Sequence, residues 1–481
     1  MADTARTSLT PERTQGEKEL QRLFAVQKAA FAREPYPSLE TRKGRLDALI
    51  RVVEKNEERI IKTVNADFGC RPGVETQLGE TVITVAGARA AKRALARWMK
   101  PKSVTTPLHM LPARSRIEPQ PLGVVGIIAP WNYPVQLALA PAAAALAAGN
   151  RVIIKPSELT PKTAELLKEI VAAEFAEDVL AVAIGGVETG QAFAEIPFDH
   201  LLFTGSTAIG RKVAEAAARN LTPTTLELGG KSPVIIDDSA DLAKAARSIA
   251  HGKMFNAGQT CIAPDYVLVP KAKLDAAVQA ISDAARKLFP EIDTTGDYAS
   301  IVSDRHFARL KGMVQEARDA GCKVVEIGSS NALHPQRKLP LTLIVEPPAH
   351  IRAMQEEIFG PVLPVLSSAA PDQAIEFVNK GDRPLALYWF GKNDAARDKV
   401  LRETVSGGVT VNDTLWHFAQ EHLPFGGVGK SGQGAYHGEA GFRTFSHMKP
   451  VFYQQGSSGA MMHPPYTEKT ARIVSLARKL M

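Results

Sequence analysis

Three residues at distant positions of this chain could together carry out chemistry on a carbonyl group. Cys261 ends the segment 258–261 (GQTC) and supplies a thiol beside small, flexible residues. Glu227 is an acid inside the apolar run 226–230 (LELGG), where a buried carboxylate needs a partner or a function. Asn132 follows a predicted strand, and its amide could donate a hydrogen bond to a developing oxyanion. Together they favour acyl chemistry, although a lone cysteine is more often a small core residue.

Two further segments are suited to the phosphate and ribose groups of a nucleotide. Residues 203–210 (FTGSTAIG) join a predicted strand to a predicted helix, so Gly205 permits a tight turn and Ser206 offers a hydroxyl at a helix start. Residues 155–158 (KPSE) follow another strand of the same sheet, and ligands of such sheets bind outside the carboxyl ends of strands. A carboxylate at Glu158 can accept hydrogen bonds from ribose hydroxyls and would repel a 2′-phosphate. The alternatives are that residues 203–210 form an ordinary strand-to-helix turn, and that residues 155–158 are only the solvated start of a helix.

Two other kinds of site are excluded by spacing. Residues 230–232 and 429–431 (both GKS) resemble the end of a P-loop, but Thr225 and Pro424 stand where that motif requires a glycine. The histidines near the end of the chain lack cysteine partners and the spacing of metal ligands, so we predict no metal site.

Composition favours a globular protein of more than one domain. The chain has 481 residues, of which 45% are apolar and 23% charged. Its net charge of +7 is spread along the chain, which does not indicate nucleic-acid binding. The apolar stretch 131–149 is interrupted by two prolines, so no transmembrane segment is predicted, and residues 1–18 contain no apolar targeting segment. Three widely spaced cysteines indicate reduced thiols in the cytoplasm.

The hydrophobic pattern predicts two α/β units. Helices are expected over 16–33, 38–67 and 75–99, followed by a linker or edge excursion over 101–121. Strands then alternate with helices, which predicts a parallel sheet covered on both faces, with strands over 124–129, 151–154, 179–184 and 200–203. A second set has strands over 233–236 and 266–269. The tail 467–481 is expected to form an amphipathic helix that docks onto the protein, with a weak membrane-surface anchor as the alternative.

Seven motifs, in this order, resemble those of the aldehyde dehydrogenase superfamily. Each motif is weak by itself, but the ordered set covers the chain from about residue 20 to 455. The motifs are 130–132 (PWN), 155–158 (KPSE), 203–206 (FTGS), 226–233 (LELGGKSP), 258–261 (GQTC), 356–361 (EEIFGP) and 424–427 (PFGG). The resemblance implies an α/β fold with a Rossmann-type nucleotide-binding domain, a catalytic domain and a small bridging sheet.

The resemblance also implies a role for each matching residue. Cys261 would be the nucleophile, Glu227 the general base, and Asn132 the oxyanion donor together with the backbone N–H of Cys261. The expected reaction passes through a thiohemiacetal and a thioester, which water hydrolyses to the acid. A base at Glu227 distinguishes this chain from the branch of the superfamily that acylates coenzyme A.

The cofactor implied is NAD, and NADP stays open because Lys155 could partly offset the effect of Glu158. Glu357 and Phe359 match the residues that hold the nicotinamide ribose and pack near the nicotinamide ring. The expected cofactor-binding set is Lys155, Ser157, Glu158, Gly205, Ser206, Gly210, Glu357 and Phe359.

Within the superfamily, the chain resembles the class 3 branch. Residues 436–438 (YHG), 261–266 (CIAPDY) and 412–417 (NDTLWH) are most similar to those of bacterial coniferyl aldehyde dehydrogenases. This similarity implies an aromatic, cinnamyl or medium-chain aldehyde as substrate. Aromatic residues that could line a substrate tunnel, or simply pack, are Tyr133, Trp416 and His417.

The expected domains follow from the same resemblance. They are a nucleotide-binding domain (1–105 and 123–226), a catalytic domain (227–409), bridging elements (106–122 and 410–456) and a tail (457–481). Segments 113–120 and 447–453 are expected to pair and to help build a homodimer, with a tetramer as the alternative. The competing functions are a semialdehyde dehydrogenase, which needs arginines to hold a distal carboxylate, and a catalytically silent structural or binding protein on the same fold.

Overall fold

The computed structural model describes residues 15–292, 294–328, 336–368, 370–456 and 463–480. Its strands are β1 (Lys102–Val104), β2 (Arg114–Pro121), β3 (Val124–Ile128), β4 (Arg151–Lys155), β5 (Leu180–Val182), β6 (His200–Thr204), β7 (Thr224–Glu227), β8 (Pro233–Ile236), β9 (Tyr266–Pro270), β10 (Lys323–Ile327), β11 (Leu341–Val345), β12 (Val362–Ser368), β13 (Ala386–Phe390), β14 (Gly408–Val411), β15 (Gly432–Gln433) and β16 (Ser446–Tyr453).

The helices alternate with these strands through most of the chain. They are α1 (Gln15–Arg33), α2 (Leu39–Glu54), α3 (Glu57–Phe68), α4 (Gly73–Thr76), α5 (Val82–Trp98), α6 (Gln136–Ala148), α7 (Pro161–Glu174), α8 (Val187–Ala194), α9 (Thr207–Ala218), α10 (Leu242–Met254), α11 (Leu274–Leu288), α12 (Asp304–Asp319), α13 (Arg352–Gln355), α14 (Pro371–Lys380), α15 (Asp394–Glu403), α16 (Trp416–Ala419), α17 (Gly438–Thr444) and α18 (Glu468–Leu480).

The strands form three sheets, as the resemblance implies. The first sheet has the order β15-β7-β6-β3-β4-β5, and its strands are parallel except for β15. The second has the order β10-β11-β12-β9-β8-β13-β14 and is parallel except for β10. The third is a small antiparallel sheet, β1-β2-β16. The fold class expected from the sequence is confirmed, while the exact domain boundaries stay a prediction.

Alternating residues of the buried strands pack on opposite faces of the first sheet. In β3, Val125 and Ile127 join a core built with α2, α3, α5, α6 and α7. Val124 and Ile128 face the other side, where α1, α8 and α9 complete a second core. Because parallel strands must be covered on both faces, this arrangement explains why the strands read as nearly continuous apolar runs.

Four sequence expectations are corrected. The helix expected over 38–67 is two helices, because the backbone of Asn56 leaves the helical conformation between α2 and α3, where its Nδ2 donates to the carbonyl of Val52. The helix expected over 75–99 is interrupted by a π-helical turn, Gln77–Thr81. Of the two interpretations of 101–121, the linker is wrong, because the segment contains β1 and β2; the expected pairing of segments 113–120 and 447–453 is confirmed by β2 and β16. The tail forms α18, but Leu476 is 60% exposed, so docking of this side chain onto the chain itself is wrong.

Candidate active site

Cys261 follows a tightly held loop between α10 and β9. The loop contains a 3₁₀ turn, Phe255–Gly258, in which Asn256 and Ala257 both have φ of 51°, in the left-handed region. The buried side chain of Gln259 braces the loop, since its Nε2 donates to the carbonyls of Asn256 and Ser300, both at 3.0 Å. Left-handed residues persist only where their surroundings fix them, so the thiol is presented from a rigid loop.

A cavity of about 250 Å³ brings together residues that are far apart in the chain. Cys261, Glu227 and Asn132 line it, and so do four of the expected cofactor residues, Gly205, Ser206, Glu357 and Phe359. The remaining lining residues are Pro130, Trp131, Leu137, Thr204, Leu228, Gly229, His306, Arg309, Leu385, Phe425 and Tyr436. The cavity lies at the carboxyl ends of β3, β6 and β7, where ligands of parallel sheets bind.

Glu227 ends β7 as a buried carboxyl group that is 2% exposed. Neither Oε1 nor Oε2 has a hydrogen-bond partner among the described residues. Burial raises the pKa of this carboxyl well above its usual value, because the charged form loses its solvation in the protein interior. A carboxyl of raised pKa beside a nucleophile is suited to exchanging a proton with water.

The Cys261 thiol is also held in its neutral form. Burial raises its pKa, and the neighbouring acidic side chains of Glu357 and Glu227 add to that effect. The backbone N–H groups of Cys261 and Ile262 oppose the rise. The thiol therefore needs added positive charge or a proton acceptor before it becomes a thiolate nucleophile.

Asn132 lies in the turn between β3 and α6 and is 4% exposed. Its Nδ2 donates to the carbonyl of Gln259 at 3.2 Å, which ties the amide to the loop that carries the thiol. Its own backbone carbonyl accepts from Arg71 Nη1 at 3.0 Å and from Asn256 Nδ2 at 3.1 Å. The amide is thus fixed beside Cys261 with one N–H left for an oxyanion.

The residues around β4 and β6 fit a dinucleotide. Lys155 ends β4 and forms an ion pair with Glu158 at 2.8 Å. Ser157 accepts the N–H of Leu159 at 3.2 Å, which orders this turn. Ser206 caps α9, so the helix directs its first N–H groups towards the cavity, as phosphate sites do. The buried Thr204 Oγ1, which has no hydrogen-bond partner among the described residues, adds a polar group there.

Glu357 and Phe359 line the cavity from the segment after α13. Burial raises the pKa of Glu357 to about 8, with Asp265 adding to the rise, and Oε1 has no partner among the described residues. Such a buried carboxyl can bind a ribose hydroxyl. Phe359 has φ of 50° and packs edge-on against Trp131, with ring centroids 5.4 Å apart. Gly210 has a packing role, because a Cβ there would lie 2.6 Å from Leu228 Cδ2.

Comparison with known proteins agrees with this geometry. The profile of the Aldehyde dehydrogenase family matches residues 6–451. The chain belongs to this family. It is 49% identical to the probable coniferyl aldehyde dehydrogenase of Caulobacter vibrioides over 92% of this chain and 93% of that protein. It is 40% identical to aldehyde dehydrogenase family 3 member A2 of Rattus norvegicus, over 94% of this chain and 92% of that protein.

A solved structure is similar over nearly the whole chain. The substrate-bound state of Staphylococcus aureus AldH superposes with a TM-score of 0.90 at 39% identity, covering 95% of this chain and 99% of that one. The chain is therefore an aldehyde dehydrogenase, an enzyme that oxidises an aldehyde with NAD or NADP. No described helix of this aldehyde dehydrogenase is long and apolar enough to cross a membrane.

The three aromatic residues expected to line a substrate tunnel do not line this cavity of the aldehyde dehydrogenase. Tyr133 is buried beneath the thiol loop, and its hydroxyl lies 2.7 Å from Thr260 Oγ1. Trp416 is 63% exposed and donates to Asp413. His417 is buried and shares a hydrogen bond with Thr410 at 2.8 Å. Packing, the alternative that the sequence left open, describes Tyr133 and His417.

Sequence reasoning missed several residues of the cavity wall. Trp131 lies inside the motif 130–132, next to Asn132, and its large aromatic side chain was the signal that could have marked it as part of the cavity wall. His306 lies in the first turn of α12 beside Trp131, with ring centroids 5.1 Å apart, and burial lowers its pKa to about 4. Arg309 lies one turn further on. Nothing in the local pattern of α12 marks it as part of the site, because only the tertiary fold brings it to the cavity.

Proposed function

We propose that this aldehyde dehydrogenase oxidises aryl or cinnamyl aldehydes, such as coniferyl aldehyde, to the carboxylic acids, and that medium-chain aldehydes are secondary substrates. The observation that carries the proposal is the cavity itself, where Cys261, Glu227 and Asn132 face a wall of aromatic rings. The aromatic walls come from Trp131, Phe359, Phe425 and Tyr436. Flat aromatic substrates pack well against such rings, and the similarity to a probable coniferyl aldehyde dehydrogenase supports the same class.

The residues of the cavity divide the reaction between them. Cys261 Sγ loses its proton to solvent and bonds to the carbonyl carbon, while Asn132 Nδ2 and the backbone N–H of Cys261 stabilise the oxyanion. The carbon–hydrogen bond at this carbon must then break, and a bound nicotinamide dinucleotide would accept the hydride. The acyl group left on Cys261 is then attacked by water, whose proton Glu227 accepts once its carboxyl is ionised. The carbon–sulfur bond breaks, the acid leaves and the thiol is restored.

We propose NAD as the preferred cofactor. Glu158 stands at the carboxyl end of β4 with its carboxylate 42% exposed. A negative charge there accepts ribose hydroxyls and repels a 2′-phosphate. The ammonium group of Lys155 is already paired with this carboxylate at 2.8 Å, so little positive charge is left to attract the phosphate.

We further propose a homodimer in the cytoplasm. β16 lies at the edge of the three-stranded sheet, and Phe452 and Tyr453 at its end are 50% and 37% exposed. An edge strand with unpaired backbone groups and exposed aromatic residues favours pairing with a second copy. Free thiols at Cys70, Cys261 and Cys322 are consistent with a reducing compartment.

The semialdehyde alternative is disfavoured by the hydrogen bonds of Arg309. Among the described residues lining the cavity, Arg309 is the one arginine. Its guanidinium donates to the carbonyls of Glu357 and Ile358 and lies 3.8 Å from the Glu356 carboxylate. These contacts leave it poorly placed to hold the distal carboxylate of a semialdehyde.

The test is NAD reduction by the purified protein with coniferyl aldehyde, benzaldehyde, hexanal and succinic semialdehyde. Cys261→Ala is the control. We expect coniferyl aldehyde to have the highest kcat/KM, with no turnover by the control. Preference for succinic semialdehyde would contradict the substrate class and leave the chemistry standing. Absence of turnover with NAD and with NADP would favour the silent binding protein.

A further inference from the structure

A buried ion pair lies behind Asn132 and takes no part in the steps above. Arg71 Nη1 donates to Glu80 Oε1 at 2.9 Å, and both side chains are fully buried. Neither residue lines the cavity. Desolvating two charges offsets most of their attraction, so a pair of this kind adds little net stability. The role of this pair is therefore better explained by structural positioning, through the groups that its hydrogen bonds hold in place.

Glu80 holds the start of α6. It is carried by the π-helical turn Gln77–Thr81, a rare element that occurs frequently at functional sites. Its Oε2 accepts the backbone N–H groups of Val135 at 2.6 Å and Gln136 at 3.1 Å. Val135 stands at the N-cap of α6 and has no side-chain acceptor, so Glu80 supplies the cap from another helix.

Arg71 holds the other end of the same turn. The Nη1 atom that bonds Glu80 also donates to the backbone carbonyl of Asn132 at 3.0 Å. The guanidinium carbon lies 5.0 Å from the ring centroid of Phe68 and 4.8 Å from that of Tyr133. The two rings and two acceptors fix the plane of the guanidinium, and the guanidinium in turn fixes the carbonyl of Asn132.

We propose that the Arg71–Glu80 pair positions Asn132 as the oxyanion donor by holding both ends of the turn that carries it. The inference rests on the proposed function, in which Asn132 Nδ2 stabilises the oxyanion. Arg71 and Glu80 are positioning residues that act through the backbone of residues 132–136. An error of about 1 Å in a reacting group can cost about 100-fold in rate, so the pair controls turnover without touching substrate.

The test is a double-mutant cycle between Arg71 and Asn132. Arg71→Met alone is expected to lower kcat by about 10- to 100-fold and to change KM for NAD by less than about threefold. In an Asn132→Ala background, the same substitution is expected to cost less than about threefold, because the group that it positions is absent. Losses that multiply in the double variant would overturn the proposal.

Arg42→Met is the matched control. Arg42 is also buried, but its Nη1 donates to the carbonyls of Ala147 and Ala148 at the opposite end of α6. We expect Arg42→Met to lower the melting temperature while kcat stays within about threefold of wild type. An equal fall of kcat in both single variants would show that Arg71 acts only through general stability and would overturn the proposal.

One further readout separates a displaced oxyanion donor from a generally damaged site. Alkylation of Cys261 by iodoacetamide forms no oxyanion, so the alkylation rate in Arg71→Met should match that of wild type. A fall in the alkylation rate that parallels the fall in kcat would overturn the proposal.

If Arg71→Met does not fold, the cycle is run with Arg71→Lys and Glu80→Gln, which keep the side-chain length and some of the hydrogen bonds. Wild type without aldehyde oxidation refutes the proposed function together with this inference, whereas active wild type with multiplying losses refutes this inference alone.

Discussion

A Cβ atom at Gly229 would overlap the carboxylate of Glu357, with Oε2 and Oε1 as its nearest contacts. Gly229 follows β7 and the proposed base Glu227, whereas Glu357 comes from the loop after α13. The two segments can approach this closely because Gly229 has no side chain. The glycine therefore fixes how near the proposed ribose-binding carboxyl lies to the reaction centre.

Gly229→Ala should displace Glu357 and weaken cofactor binding. Loss of the hydrogen bond between Glu357 and the cofactor predicts an increase of up to about tenfold in KM for NAD. Steady-state kinetics with varied NAD would measure the increase. Gly87→Ala is the control, because nothing lies within 4 Å of a Cβ there, and in α5 it should stabilise the protein by roughly 0.5–1 kcal/mol. Unchanged KM for NAD in Gly229→Ala would contradict the role of Glu357.

Glu227→Gln should separate the two halves of the reaction. The amide cannot accept a proton from water, so we expect steady-state turnover to fall by about 10²- to 10⁴-fold. Cys261 and Asn132 remain, so one equivalent of reduced cofactor per active site should still form in a rapid burst. Stopped-flow absorbance would count the burst, and mass spectrometry would detect the acyl group on Cys261. A variant that is slow and shows no burst would place Glu227 before hydride transfer.

The raised pKa of Glu357 predicts a pH-dependent stability difference. Its folded-state pKa is about 8, against 4.5 for an unperturbed carboxyl, and burial is the main cause. Between pH 4.5 and 8 the unfolded chain has released this proton and the folded chain retains it, so the group costs stability that grows with pH. Glu357→Gln should therefore gain in melting temperature relative to wild type as pH rises from 5 to 8.

Paired melting curves of wild type and Glu357→Gln, without cofactor, would measure that gain. Buried His417 and His437, each with pKa lowered to about 4, destabilise the fold as pH falls from 6.5 towards 4. Their effect is common to both proteins and cancels in the difference. A difference that is constant with pH would show that Glu357 ionises normally.

The sequence predicted the reacting groups better than the framework that holds them. Cys261, Glu227 and Glu357 stand in short motifs that can be recognised without the fold, and the structure places all three in the wall of one cavity. The turn Gln77–Thr81 could not be predicted, because the apolar spacing over 75–99 continues through it as in an ordinary helix. The positioning role of Glu80 in this turn becomes visible only when its hydrogen-bond partners Arg71 and Val135 are seen in the folded structure.

The same limitation explains the aromatic residues. Trp131 and Tyr133 are both aromatic and both adjacent to Asn132, so the sequence does not distinguish them. The irregular backbone of the turn places their side chains in different parts of the structure. Tyr133 packs against Phe255 and Arg71 beneath the thiol loop, whereas Trp131 lines the cavity. A sequence pattern does not encode which of two neighbours faces a site when the backbone between them is irregular.

Substrate preference should respond to Trp131 and not to Tyr133 or Trp416. Trp131→Leu removes an aromatic wall, so the ratio of kcat/KM for coniferyl aldehyde to that for hexanal should fall about tenfold. Tyr133→Phe removes a buried hydroxyl bonded to Thr260, and is expected to cost about 1 kcal/mol of stability while leaving the ratio within twofold. Trp416→Ala, at an exposed position outside the cavity, should also leave it unchanged. If the ratio of kcat/KM values fell in Tyr133→Phe or Trp416→Ala and stayed constant in Trp131→Leu, the prediction would be wrong. The aldehyde would then bind beside Tyr133 or Trp416 and not in the cavity that Trp131 lines.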